Sequence, residues 1–306
     1  MKKHRPYAEI ELEDASGNVY PLSFPTRLEQ AISGLGMPSI QHWTTRAPFQ
    51  TGQSHWGYTI GPRTVNIILY SRGCDRADMY TKRRANVQML SPMSGPHKLR
   101  LITPEWEKYE LQNVWYIGGY ELSSQEQPAP NVQIGAMQLM AYSPLWKWLT
   151  VPLVAGQTRD ADGRTCTAED TWVTTDHLVL PFTGPFLLGV TTGELTMIVT
   201  NSGSTIIKPV ITVEGPISDF TISNLTTGKI LSWDGYDIAA GEIVTFDIEG
   251  KTITNGAGTN LINYVSGNFG TWELNPGANN IEVWGVDPTD ATTEISICFY
   301  VEVLGV

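Results

Sequence analysis

Charged residues are scarce in this chain: they make up 17% of its 306 residues, against 41% that are hydrophobic. A disordered chain needs far more charge and less apolar content, so this is the composition of a globular protein with modest surface charge. Long apolar runs are missing as well. No stretch of about twenty apolar residues occurs, which gives no candidate for a membrane span. The opening MKKHRPYAEIELED has basic residues without an apolar run behind them, so it does not read as a secretory signal. There are three cysteines, Cys74, Cys166 and Cys298, an odd number in no metal-ligand spacing. That is too few for a disulfide framework, and the expectation is three reduced thiols from an intracellular assembly site, with Cys298 a small apolar residue in a strand. Basic residues are outnumbered, and the net charge of −11 excludes a sequence-specific nucleic-acid binder, which needs concentrated Lys and Arg to neutralise phosphates. G-x-S-x-G, H-E-x-x-H, Walker A and G-x-G-x-x-G are all absent, so no enzyme is expected and no cofactor is implied.

What is abundant is turn and strand chemistry. The 29 glycines and 19 prolines are scattered, as suits many short strands joined by turns. Ten Trp and twelve Tyr favour pleated, half-buried surfaces. The chain is long enough for two domains, each with its own core. Charge divides them: residues 1–150 hold fifteen Lys/Arg against twelve Asp/Glu, and residues 151–306 hold five against nineteen.

Along the chain, YAEIELE (7–13), VYPLSF and VNIILY (65–70) read as strands. Residues 31–62, rich in Gly, Ser, Thr and aromatics, read as a long loop or a reaching hairpin. One helix is expected over 76–90, with Asp75 as N-cap, Asp78 in the first turn and Pro92 beyond its end. Its stripe Ala77, Tyr80, Arg84, Val87 and Leu90 is expected to lie on a sheet, with Lys82, Arg83 and Asn86 outward. Strands follow at 98–103, 109–116 and 132–142. Residues 150–177 read as a polar connector. From Leu178, short runs from LVLPF to ISICFYVEVLG alternate with turns at about ten-residue spacing, the pattern of a β-sandwich.

Within this second half an ordered set of residues carries a resemblance: Asn201-Ser202-Gly203, Ile211 to Gly215, Ile222-Ser223-Asn224, Thr227-Gly228, Gly241-Glu242 and the strand ending at Asp247. The most specific element is Trp272-Glu273-Leu274-Asn275-Pro276-Gly277-Ala278-Asn279-Asn280-Ile281. Independently of any family, Pro276-Gly277 suits a type II turn, with Trp272, Leu274 and Ile281 facing one core. The set resembles the galectin-like C-terminal domain of siphophage distal tail proteins, with Trp272, Leu274, Pro276, Gly277, Asn279 and Ile281 as the fold signature. Pro62-Arg63 before VNIILY, and Arg83-Arg84 leading to Leu90-Ser91-Pro92, match the same family's N-terminal domain.

The fold class implied is mostly β: an N-terminal β-sandwich or barrel-like domain with one helix (1–149), a connector (150–177) and a C-terminal galectin-like β-sandwich (178–306). The function implied is that of a structural subunit at the distal end of a phage tail, in the virion, assembled in the host cytoplasm. There it forms a six-fold ring that joins the tail tube protein to the tail-tip and receptor-binding proteins of the baseplate. The alternative is a carbohydrate-binding β-sandwich for adhesion to the host surface. Its sugar platform would be one of Trp233, Trp272 and Trp284, but these lack a cluster of His, Asn, Arg and Glu.

Other residues have sharp and plain readings. Glu105, Glu107 and Glu110 with Trp106 could form a glycosidase pair and sugar platform, although neighbouring exposed glutamates on a β surface are commonplace. His4, His42, His55, His97 and His177 have no metal-ligand spacing, so a metal site would need loops to bring them together. Asp160-Ala161-Asp162-Gly163 lacks the later ligands of a calcium loop. In the aromatic stretch 42–58, Trp43, Phe49, Trp56 and Tyr58 are candidates for a subunit interface, with local core as the alternative.

Overall fold

The computed structural model describes residues 8–22, 28–120, 131–169, 173–175, 192–286 and 292–306. His4, His177 and the strand expected over LVLPF lie outside these. The chain divides into two compact units, Met1–Thr150 with Glu302–Val306, and Val151–Val301.

In the first unit, β1 (Glu9–Glu13), β2 (Val19–Pro21), β3 (Leu28–Ser33), β4 (Ile40–Thr45), β5 (Ser54–Ile60) and β6 (Arg63–Arg72) precede the helix α1 (Arg76–Met89). After it come β7 (His97–Ile102), β8 (Lys108–Gly118), β9 (Val132–Ala141) and β10 (Trp146–Trp148). An antiparallel sheet runs β2-β1-β7-β8-β9-β6-β3, and β10 pairs with β8. Strand β6 shows how the sequence dictates it: Val65, Ile67 and Leu69 are buried on one face, and the residues between them are not. β-branched and leucyl side chains at period two suit one buried face.

Helix α1 has the expected cap, since the Asp75 carboxylate accepts the Asp78 N–H at 2.8 Å. Its docking face, however, departs from the expected stripe everywhere but at Leu90, which is buried. Met79, Asn86 and Met89 are buried, while Tyr80, Arg84 and Val87 are exposed. Polar tethering overrides the weak apolar stripe. Asn86 Nδ2 donates to Ser71 Oγ and Tyr120 Oη, and Lys82 Nζ donates to the Arg72 carbonyl and to Asp78. These bonds tie the helix to the end of β6, so Asn86 turns inward between Met79 and Met89.

The second unit comprises β11 (Gln157–Arg159), β12 (Thr165–Glu169), β13 (Val173–Thr175), β14 (Thr192–Asn201), β15 (Val210–Glu214) and β16 (Ser218–Asn224). It continues with β17 (Lys229–Trp233), β18 (Ile243–Asp247), β19 (Thr252–Asn255), β20 (Val265–Gly267), β21 (Gly277–Val286) and β22 (Glu294–Phe299). Two antiparallel sheets form, β11-β12-β22-β15-β18-β19 and β13-β14-β21-β16-β17-β20. Phe246 of the first meets Phe220 and Trp233 of the second, with ring centroids 6.0 and 5.2 Å apart, so the sheets close on one core. This is a β-sandwich.

Three expectations are corrected. The polar stretch read as a connector supplies β11 and β12, and β12 is hydrogen-bonded into the sheet beside β22. Its sequence, TCTAE, buries Thr165, Cys166 and Thr167; small and hydroxylated residues fill this part of the core, so no apolar alternation announces the strand. The run ISICFYVEVLG is two strands rather than one. Its first part is β22, and its last part, β23 (Glu302–Val303), pairs with β10 in the first unit. The expected 178–306 domain therefore gives its last five residues to the other unit.

The thiols are the third. Cys166 and Cys298 face each other across β12 and β22 and form a disulfide that spans 132 residues of sequence, leaving the exposed Cys74 free. The thiols thus lend no support to intracellular assembly. A cross-link over so long a loop is worth roughly 4–5 kcal/mol in the chain-entropy account. Denatured protein prepared without reductant should react with one equivalent of a thiol reagent, and with three after reduction. Three equivalents without reduction would show that the bond is absent.

Candidate functional site

Among the described residues, strands β4 and β5 pair only with each other, as a hairpin outside the three larger sheets. Its base is tied down tightly. The Gly61 N–H donates to the Ser39 carbonyl, and Gly34 has φ 92° with Thr64 O lying only 2.0 Å from where a Cβ would stand. Any side chain at 34 would strike that carbonyl and would also occupy the left-handed region that glycine tolerates.

The clamp at this base is Arg63. It is fully buried and donates to five backbone carbonyls: Gly34 (2.9 Å), Leu35 (3.0 Å), Gly36, Pro144 (2.8 Å) and Leu304 (2.6 Å). Its guanidinium also sits 5.7 Å from the centroid of the buried Trp146 ring. Burial pulls the guanidinium below the usual arginine range. One planar five-donor fork thus holds the segment before β4, the β9–β10 connection at Pro144, and the chain's last segment. The Pro62-Arg63 pair carried a resemblance in the sequence; only the structure shows what the arginine does.

The hairpin exposes all four interface candidates. Trp43 is 56%, Trp56 75% and Tyr58 61% exposed, and Phe49 at the turn is fully exposed. A bulge shifts the register between Trp43↔Gly57 and Thr44↔His55. It leaves Trp43 over Gly57 and lets Trp56 Nε1 donate to Thr45 Oγ1 at 2.6 Å, so both indoles share one face. His42, Tyr58 and His55 take the other. A second exposed feature is a groove of about 440 Å³ on α1, lined by Tyr80, Arg83, Arg84, Val87, Gln88 and Ser91. The exposed stripe of the helix forms it.

Of the carboxylates weighed for catalysis, Glu105 is exposed, while Glu107 and Glu110 bond groups of the fold itself. Glu107 accepts from Tyr109 Oη at 2.7 Å. Burial, and then that hydrogen bond, push the Tyr109 hydroxyl well above the usual phenol range. Glu110 is buried and takes Arg100 at 2.8 Å, while Glu13 takes the same guanidinium from the other side at 2.6 Å. Asp160 and Asp162 bind Arg164 across the β11–β12 turn. His97 is buried, with Nε2 2.9 Å from the Met89 carbonyl.

In the sandwich the signature residues are structural. Trp272 and Leu274 are fully buried, and Ile281 joins them. Leu274 exchanges backbone hydrogen bonds with Ile207, and Gly277 has φ 94°. The asparagines explain the rest of the pattern. Asn279 donates to the carbonyls of Asn275 and Gly277 and accepts the Asn275 N–H. Asn224 donates to Glu273 O and accepts from Thr226 and Thr227, and Asn201 donates to Thr205 O and accepts from Gly203. All three are buried, each closing the turn beside its own strand end, where a short amide side chain replaces a backbone ladder. Of the tryptophans considered as a sugar platform, Trp233 and Trp272 lie in this core. Trp284 is half-exposed, and its Nε1 bonds Glu282 at 2.8 Å.

The architecture is thus that of a mostly β protein: a helix-bearing antiparallel sheet with a free-standing hairpin, and a β-sandwich closed by asparagine turns. The crystal structure of SPP1 Dit, described as a paradigm of the hub adsorption apparatus in phages that infect Gram-positive bacteria, has this fold. The match covers 95% of this chain and 98% of that one, at a TM-score of 0.63 and 10% identity. The phage p2 baseplate in its activated conformation with Sr matches at a TM-score of 0.47 and 9% identity, over 95% of this chain and 97% of that one. No curated protein sequence matches. Residues 202–299 match the family described as siphovirus-type tail component, C-terminal domain. That match lies within the sandwich unit.

Proposed function

We propose that this chain is the ring-forming hub subunit of a siphophage tail tip. Copies associate through the first unit into a six-fold ring that joins the tail tube to the tail-tip and receptor-binding proteins. The observation that carries the reading is the clamped hairpin. Its exposed Trp43 and Trp56 share one face and bury little against their own chain. Tryptophans of this kind supply large contact area at low entropic cost and dominate interface energetics. A hairpin that seats on a different patch of the next copy makes a head-to-tail contact, and such contacts close into rings. The acidic sandwich is a peripheral docking module. Its excess of Asp and Glu disfavours close contact between copies within about a Debye length, roughly 8 Å at physiological salt, and suits partners of complementary charge. The burial of Trp233 and Trp272 favours assembly over sugar binding.

The test is light scattering on the purified chain, alone and mixed with tail-tube and tail-tip protein. The unmodified chain should form a ring in at least one of these conditions. Trp43→Ser with Trp56→Ser should abolish it without changing thermal unfolding, because each indole at a contact centre is worth about 2 kcal/mol or more, near thirtyfold in affinity. A double variant that still assembles would place the contact elsewhere.

A further inference from the structure

The hairpin brings together two histidines that lie thirteen positions apart in sequence, and their separation matches a chelate. His42 Nδ1 and His55 Nε2 are 3.1 Å apart, both exposed, with ring centroids at 5.2 Å and planes inclined by 58°. Two imidazoles on one tetrahedral zinc, with Zn–N near 2.0–2.1 Å, hold their nitrogens about 3.3 Å apart. The pair is therefore already spaced to share one ion. We infer that His42 and His55 form a binding site for a transition-metal ion of the zinc class, on the hairpin face opposite Trp43 and Trp56.

The bulge creates the juxtaposition. Continuing the pairing His42↔Tyr58 and Trp43↔Gly57 without interruption would set His55 against Thr45, on the tryptophan face. The register shift sets it against Thr44 instead. Thr44 lies two residues from His42 and so on the same face, which carries His55 across to His42. Without an ion, the facing nitrogens share one hydrogen as an N–H···N bond. With both hydrogens on the outward nitrogens, His42 Nε2 and His55 Nδ1, the pair presents two lone pairs and no proton need leave the protein. Neutral imidazole suits zinc, copper and nickel, whereas calcium and magnesium prefer oxygen. Two protein ligands leave the remaining coordination positions to water or to a group from another molecule. The site does not depend on the ring reading, since the hairpin supplies both ligands from one chain.

Calorimetric titration of ZnCl₂ into the full chain decides it, with Cys74→Ser to remove the free thiol. The parent should bind Zn²⁺. His42→Ala and His55→Ala should each weaken that binding by at least about tenfold, while circular dichroism stays unchanged. Thr44→His, which adds a third imidazole to the same face, should tighten it by a similar factor. No Zn²⁺ binding by the parent, or unchanged affinity in either alanine variant, overturns the site. A Thr44→His chain that binds no tighter overturns its placement on this face.

Discussion

Arg63→Ala should destabilise the first unit by about 3–5 kcal/mol. The substitution takes the donor away from five carbonyls at once, and each buried acceptor left unpaired costs roughly 1–3 kcal/mol before water or relaxation recovers part of it. No carboxylate stands opposite the guanidinium in its hydrogen bonds; it is held by backbone oxygens of Gly34, Leu35, Gly36, Pro144 and Leu304. Arg63→Lys should recover little, because a single ammonium with three donors cannot span carbonyls approached by three separate nitrogens. Urea unfolding followed by circular dichroism measures both variants. A loss below about 1 kcal/mol in Arg63→Ala would show that the clamp is dispensable. Because the same residue fixes the base of β4 and β5, the variant should also lose any assembly that depends on the hairpin, even under conditions where it remains folded.

Truncating the chain at Thr150 and excising Val151–Val301 should give different proteins. Truncation removes β23, and with it the pairing of Lys147 with Glu302 and Trp146 with Val303. It also removes the Leu304 carbonyl that Arg63 binds and the Val306 N–H that donates to Leu35 O. Excision with a Gly/Ser linker of about four to six residues from Thr150 to Glu302 keeps all of these, because β10 and β23 are antiparallel neighbours that a short loop can join. The excised chain should be more stable than the truncated one by about 2–4 kcal/mol, the worth of a hydrogen bond to a charged group plus the lost strand packing. Equal urea midpoints would mean that the last residues contribute nothing to the first unit. The excised chain also tests the docking reading. Rings that form but no longer hold the adsorption proteins support it, and loss of the ring assigns the assembly contacts to the sandwich.

Legibility from the sequence tracked the strength of each local signal. The sandwich signature was readable because Trp272, Leu274 and Ile281 face one core and Pro276-Gly277 announces its turn, with Asn201, Asn224 and Asn279 in fixed company. The helix was readable in place but not in orientation. Its apolar stripe was narrow, and burial of Asn86 depends on Ser71 and Tyr120, which no helical period reveals. Strand β12 was invisible because threonine and cysteine filled core positions. The disulfide was invisible because pairing Cys166 with Cys298 requires two strands 132 residues apart to be neighbours.

By itself the sequence determined the β class, the long helix and the turn chemistry, all consequences of periods and propensities that act over a few residues. Tertiary structure alone decided what depends on register and return. A one-residue bulge put His55 beside His42 instead of on the tryptophan face. The last five residues came back to β10, and a buried arginine found its partners in three separate segments. Side-chain parity in a strand has period two, so a single-residue shift reverses which groups meet, and local sequence carries no record of such a shift until the partner strand is in place.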